Sequence, residues 1–288
     1  MSARSAKKET LKAQRALSEL IKKYRVGLPD QLRYPPPEFE GTQRHQEIVI
    51  AFMERVAMLL APMDKERSEF SLREGSRNMV RSFEHLQNQL PQKLKNTNGG
   101  DPIPLACEVG CNHCCSLRVS VLAPEVLVLA HYLKKKLGAD DLQALIKRMD
   151  DFEAGVAGLS PLEQAFRSVL CPLNVEGQCI GYANRPFTCT SYHSFDLSKC
   201  IERRENPRAE SAVLQDPMRL TLRTLHKDAT MAAMSALGLD ATELEFVPAL
   251  RVALSDSEAG AKYLKGEPVF ASADMPAVRE ASASRFAM

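Results

Sequence analysis

The sequence CEVGCNHCC at residues 107–115 contains four of the eight cysteines of this 288-residue chain. The other four follow at wider intervals, at positions 171, 179, 189 and 200. Two or three intervening residues allow one loop to bring two sulfurs onto one ion, because a tetrahedral thiolate site places each sulfur about 2.3 Å from the metal. On its own, this pattern is compatible with disulfide bonds, with a metal site and with a nucleophilic cysteine.

The composition is that of an ordinary globular protein with almost no net charge. The chain has 38 basic and 36 acidic residues, and this balance gives no reason to expect a nucleic-acid or membrane partner. The first 25 residues are basic, with eight Lys or Arg against two Glu, but they lack the apolar run of a secretory signal. We therefore expect a cytoplasmic protein. Thiols stay reduced there, which favours metal binding or catalysis over disulfides.

Apolar residues recur at helical spacing along most of the chain, and no alternating run is long enough for a sheet. Before the first cysteines, these apolar stripes occupy residues 17–24, 48–60 and 79–90. Capping patterns predict later helix starts at Pro124, at Ser160 with Glu163, at Asp216 and at Ser255 with Glu258. Glycines predict helix ends at 138, 238 and 266. We predict a mainly α fold, a helical domain with an irregular cysteine-rich metal-binding centre over residues 171–200.

Turn residues at 95–104, KNTNGGDPIP, separate the first helices from the cysteines. On this basis we divide the chain into three parts. Residues 1–96 form an N-terminal helical segment, residues 97–205 a cysteine-cluster metal-binding domain, and residues 206–288 a C-terminal helical segment that packs on it. The last residues, ASASRFAM, are expected to be frayed.

Three cysteines of the first block would leave a tetrahedral ion or a cluster iron one ligand short. The second block must then supply the rest, so the two blocks are expected to converge in the fold. Cys114 and Cys115 are adjacent, and adjacent side chains point in different directions in most backbone conformations. We therefore do not expect both to bind the same ion.

Cys200 is followed by the charged sequence IERRE, and we expect it to be a bystander. His113 and His193 lie beside cysteines and are weaker candidate ligands. On this interpretation, serine at Cys111 or Cys114 should release metal and lower stability, whereas Cys200→Ser should do little.

Three features of the chain together resemble one known family: the first cysteine block, the helix start at 122–125 and the sequence CPLNVEGQCIGYANRPFTC at 171–189. This is the YkgJ-like cysteine-cluster family, whose CxxCxxCC proteins are described as zinc- or iron-chelating domains. The resemblance covers residues 105–195. It implies metal binding, without a particular biological role, through Cys107, Cys111, Cys114, Cys115, Cys171, Cys179 and Cys189. Two differences stand out: the first gap has three residues instead of two, and Thr190 stands where the family often has arginine.

Zinc is the first choice of metal because all-thiolate tetrahedral sites are typical of it, and iron, including a [4Fe–4S] cluster, is the second. One alternative is an iron–sulfur-dependent enzyme, such as a protein methylase or a radical S-adenosylmethionine-type enzyme, which uses similar cysteine spacing. Another is a helical interaction module with a structural zinc. The pair Cys111 and Cys114 forms C-x-x-C, but no βαβ pattern of a thioredoxin surrounds it. The sequence does not indicate a substrate or a protein partner.

Overall fold

The computed structural model describes residues 3–33, 37–98, 103–208 and 213–275. Within these ranges the fold is mainly α, as predicted. The helices are α1 Ala3–Tyr24, α2 Asp30–Arg33, α3 Gln43–Lys65, α4 Glu69–Asn98, α5 Ala123–Lys136, α6 Ala139–Val156, α7 Pro161–Arg167, α8 Phe187–Ser191, α9 Leu197–Glu205, α10 Pro217–Ala236, α11 Phe246–Ser255 and α12 Ala259–Leu264. The strands are β1 Ser120–Val121, β2 Asn174–Val175, β3 Gln178–Cys179 and β4 Leu244–Glu245.

The short strands form two antiparallel pairs that flank the cysteines. β1 pairs with β4 in the register Ser120↔Glu245, which ties the segment after the first cysteine block to the start of α11. β2 and β3 form a hairpin, closed by Glu176 and Gly177, both with positive φ. Two successive positive φ angles are typical of the tight turns that match strand twist. This turn places Cys179 opposite Asn174.

Local capping patterns predicted several helix starts correctly. Ser160 accepts a hydrogen bond from the Glu163 N–H at 3.3 Å at the start of α7. Asp216 accepts from the Met218 N–H at 2.8 Å at the start of α10. The last predicted start was wrong, because Ser255 is the final residue of α11 and α12 begins after Glu258. The sequence pattern alone does not distinguish a serine that ends one helix from a serine that caps the start of the next.

Two predicted irregular stretches are more helical than expected. α4 continues to Asn98, through the first part of the break predicted at 95–104, because the Gly-Gly pair that is the stronger breaker comes only after it. Residues 171–200 include α8 and the start of α9, whose N-cap Asp196 accepts from the Ser198 N–H at 2.8 Å. The predicted frayed end, 281–288, lies outside the described residues.

The buried core draws on helices from all three predicted segments. α3, α4 and α10 pack on one another, and α11 packs on α5 and α6. Among the residues with no exposed surface are Phe52, Phe83, Leu133, Met149 and Leu250. α8 packs on α4 and α10, where the Phe187 and Phe83 rings meet edge to face with centroids 5.2 Å apart. In the described parts of the chain, every helix is too short or too polar to cross a membrane.

Gly75 lies where α4 crosses α3, and it provides a test of this packing. A Cβ atom at Gly75 would lie 2.9 Å from the Leu59 Cα and 2.9 Å from the Met58 carbonyl oxygen. These are backbone atoms, so the two helices would have to separate. We expect Gly75→Ala to lower the free energy of unfolding by about 1–3 kcal/mol in denaturant titrations.

The matched control is Gly155→Ala in α6, where an added Cβ would meet nothing within 4 Å. Alanine favours the helix over glycine by up to about 1 kcal/mol, and by less near a helix end, so this variant, one residue before the end of α6, should be slightly more stable than the wild type. Equal stabilisation by both substitutions would show that α3 and α4 are not in close contact at Gly75.

Candidate metal centre

The two cysteine blocks meet in the fold. The Cys171 N–H donates to the Cys115 carbonyl oxygen at 2.9 Å, and the Asn174 side-chain amide donates to the Cys115 sulfur at 3.7 Å. A cavity of about 270 Å³ lies between the blocks. It is lined by six of the eight cysteines: Cys111, Cys114, Cys115, Cys171, Cys179 and Cys189.

The first block is shaped by a tight turn and a short 3-10 helix. The Cys111 N–H donates to the Glu108 carbonyl oxygen at 3.1 Å, and Gly110 within this turn has φ +93°. Glycine adopts this left-handed conformation without the strain that a side chain would cause. The 3-10 helix His113–Ser116 then carries Cys114 and Cys115.

The second block is held by several separate elements. Cys171 precedes the β2–β3 hairpin, Cys179 ends β3, and Cys189 lies in α8. The start of α8 is fixed by Glu125, whose side chain accepts from the Phe187 N–H at 2.7 Å and from the Leu122 N–H at 2.8 Å. Glu125 thus joins the start of α5 to the helix that carries Cys189.

Burial disfavours ionisation of three thiols in the second block. It raises the pKa of Cys171 to about 12, and it also raises the pKa values of Cys179 and Cys189. Negative charge on neighbouring sulfurs raises these pKa values further, because thiolates repel one another. A bound cation would reverse this repulsion, so metal binding here would release protons.

The adjacent thiols of Cys114 and Cys115 differ from these buried thiols in how their pKa values are shifted. A hydrogen bond from the Cys114 thiol lowers the pKa of Cys115 to about 6, although burial opposes it, and Asn174, Arg185 and Arg204 also lower it. The same hydrogen bond raises the pKa of Cys114. Within this pair, Cys115 is therefore the thiol that ionises first.

Arg185 provides positive charge beside these sulfurs. It lines the cavity, its guanidinium lies 3.8 Å from the centre of the Tyr182 ring, and its charge lowers the pKa values of Cys115, Cys179 and Cys189. Its Nε has no hydrogen-bond partner among the described residues. The Thr190 hydroxyl donates to the Arg185 carbonyl oxygen at 3.3 Å, so the residue that departs from the family pattern contacts Arg185.

The chemistry of these donors fits a metal that prefers sulfur. The carboxylate that lines the cavity, Glu245, is paired with Arg118, which leaves the thiols as the available ligands. Within the described ranges, no three His, Cys, Asp or Glu side chains are already arranged as a site for one ion. Soft thiolate sets of this kind select zinc or iron over hard cations.

The two histidine candidates have different surroundings. Both ring nitrogens of His193 face the backbone, with Nε2 accepting from the Asp216 N–H at 2.6 Å and Nδ1 beside the Ser191 carbonyl oxygen. His193 therefore braces the start of α10 and has no free nitrogen for a metal. The Nδ1 atom of His113 is buried and has no hydrogen-bond partner in the described part of the chain.

Sequence reasoning missed the contribution of α9. The Arg204 guanidinium donates to the Asn112 side-chain oxygen at 3.2 Å and its charge lowers the pKa of Cys115. The one available signal was the N-cap pattern of Asp196 and Ser198, inside a stretch that we predicted to be irregular.

No family model, curated protein or solved structure matches the chain. The resemblance to the YkgJ-like family thus rests on the sequence motifs within residues 105–195 alone. The thiols, the arginines and the cavity between them are therefore the features that bear on the chemistry of the site.

Proposed function

We propose that the protein binds zinc or iron through thiolates from both cysteine blocks. The observation that carries this proposal is the cavity lined by six cysteines from two segments of sequence that are far apart. Buried structural cysteines occur singly in many cores, but they have no reason to collect around one cavity. The seven ligands implied by the family resemblance include these six, and Cys107 is the seventh.

The residues around the thiols have supporting roles in this proposal. Arg185 and the Asn174 amide offset negative charge on the sulfurs, and Glu125 holds α8 so that Cys189 faces the cavity. The metal would supply the positive charge that keeps the thiols ionised, and it would join residues 107–115 to residues 171–189. Because these segments come together only in the folded chain, metal binding would stabilise the fold.

A second candidate function is an iron–sulfur-dependent enzyme, such as a protein methylase or a radical S-adenosylmethionine-type enzyme. One observation favours it: the cavity, at about 270 Å³, is larger than a single ion requires. Apolar side chains continue it away from the sulfurs, among them Leu129, Phe152, Phe246 and Val247. A small organic molecule could lie there beside the metal, as in other apolar pockets with a few polar groups.

The test is to purify the protein without oxygen and to measure zinc, iron and acid-labile sulfide per chain, together with the visible spectrum. We expect a colourless protein with bound zinc. A brown protein with iron and sulfide would still support thiolate ligation and would select the iron–sulfur candidate. A folded, reduced chain that retains neither metal, and takes up neither when it is offered, would overturn the proposal.

A further inference from the structure

A second cavity, of about 360 Å³, adjoins the cavity between the cysteine blocks. The two share the lining residues Cys114, Leu117, Arg118 and Tyr192. The second cavity lies where α9 packs on α7 and on the 3-10 helix of the first cysteine block. Two cysteines line it, Cys114 and Cys200, and two thiolates are too few for a tetrahedral metal site. Its other side chains therefore decide what it binds.

The charged side chains of the second cavity are basic. Arg118, Arg203 and Arg204 line it, and no described Asp or Glu does. Arg118 is paired with Glu245, which lines the first cavity and not the second. Arg204 donates to the neutral side chain of Asn112 at 3.2 Å, and Arg203 forms no ion pair with a described residue. The positive charge of Arg203 and Arg204 is therefore not balanced by a described carboxylate in the cavity wall.

Two residues that line this cavity carry a buried nitrogen atom without a hydrogen-bond partner in the described part of the chain. The atoms are Nε of Arg118 and Nδ1 of His113. Arginine Nε always carries a proton, and histidine Nδ1 carries one in one of the two neutral tautomers and in the charged form. Buried donors are nearly always hydrogen-bonded in folded proteins, so these atoms require an acceptor. An anion in the cavity would supply it.

Apolar side chains form another part of the cavity wall: Leu117, Leu162, Ala165, Pro207 and Val213. Leu162 is 42% exposed although its side chain is large and apolar. The volume of the cavity, about 360 Å³, lies within the range of pockets that hold small molecules. A bare inorganic anion would leave the apolar wall uncovered, whereas a molecule with both an anionic group and an apolar body would contact both kinds of side chain.

We propose that the second cavity binds a small organic anion, whose carboxylate or phosphate group pairs with Arg203 and Arg204 and whose apolar body contacts Leu162. A guanidinium group can donate to two oxygens of such an anion at once, which favours arginine over lysine in sites of this kind. Arg118 and His113 donate further hydrogen bonds from the nitrogen atoms that lack partners. The inference goes beyond the proposed function and does not depend on it, because no thiol is needed to hold the anion.

The test titrates phenyl phosphate and benzoate into the reduced full-length protein and follows binding by calorimetry, with benzamide as the neutral analogue of benzoate. We expect saturable binding of one or both anions and no binding of benzamide at the same concentrations. Binding of phenyl phosphate alone would identify phosphate as the recognised group, and binding of benzoate alone would identify a carboxylate. If neither anion binds, or if benzamide binds as tightly as benzoate, the proposal is overturned.

Two matched variants assign the binding to this cavity. Arg203 is exposed and lines the second cavity and not the first, so Arg203→Gln should fold normally and weaken the binding of the anion by about tenfold, through loss of a charged hydrogen bond. Arg208 is also exposed but does not line the cavity, so Arg208→Gln, with the same change of charge, should bind like the wild type. Equal weakening in both variants would show a general attraction of anions to this surface and would overturn the site.

Discussion

Cys171→Ser is expected to remove the bound metal and with it about 4 kcal/mol of stability, when free zinc is held about 1,000-fold above its dissociation constant. The metal stabilises the protein because it binds the folded chain, in which Cys171 lies beside Cys115 through the 2.9 Å backbone hydrogen bond. Serine keeps that bond and changes only the ligand atom. The free energy of unfolding, measured by denaturant titration at fixed free zinc, checks the value.

A chelator provides the control for this prediction. In the wild type, chelation should remove the metal and lower the free energy of unfolding by about as much as Cys171→Ser does. In Cys171→Ser, which no longer holds the metal, chelation should change the free energy of unfolding little. The effects of the substitution and of the chelator are therefore not additive, which is the signature of a shared cause. Equal chelator effects in both proteins would show that Cys171 binds no metal.

Local signals in the sequence predicted the parts of the fold that depend on neighbouring residues. The apolar stripes of α3 and α4, the capping box of α7 and the Asp216 cap of α10 are decided within one or two helical turns. The same reasoning identified the cysteine-rich region and required its two blocks to converge, since one block has too few ligands.

Features that depend on distant residues could not be predicted in this way. Cys200 is followed by charged residues, which predicts a solvated position, but the face of α9 that carries it packs on the 3-10 helix His113–Ser116. The backbone bond between Cys171 and Cys115 and the stacking of Arg185 on Tyr182 likewise follow from how the helices assemble. Glu125 makes one contact of each kind. Its hydrogen bond from the Leu122 N–H, which caps α5, is local in the sequence, whereas its hydrogen bond from the Phe187 N–H of α8 joins distant residues.

Glu125→Ala is expected to lower the free energy of unfolding by about 3 kcal/mol or more, since each unsatisfied buried donor costs about 1–3 kcal/mol. The substitution leaves the N–H groups of Leu122 and Phe187 without their acceptors. It also releases the start of α8, two residues before Cys189. We therefore expect weaker zinc binding as well, by about tenfold or more, as is typical when a residue that supports a ligand is lost. Denaturant titrations and chelator competition measure the two effects.

The matched control is Glu163→Ala, which removes the same kind of helix cap from α7. Glu163 is exposed, and it accepts from the Ser160 N–H at 2.7 Å without a second contact to another helix. Water can replace the Glu163 carboxylate as the acceptor, so the free energy of unfolding of this variant should fall by about 1 kcal/mol or less, and zinc binding should be normal. Equal losses of unfolding free energy in the two variants would show that the contact from Glu125 to Phe187 does not stabilise the fold.

The pH dependence of the Glu125→Ala effect has a definite sign. Burial raises the pKa of Glu125 above its usual value of 4.5, although the N–H groups of Phe187 and Leu122 and the charge of Lys227 oppose the increase. The folded state then binds the proton more tightly than the unfolded state, so the contribution of Glu125 is fully present below pH 4.5 and declines as pH rises through the raised pKa. The difference in the free energy of unfolding between the wild type and Glu125→Ala should therefore narrow as the pH rises from 4.5 through the raised pKa of Glu125. A difference that widens instead would mean that the carboxylate, held by two N–H groups, is more acidic in the fold than in the unfolded chain.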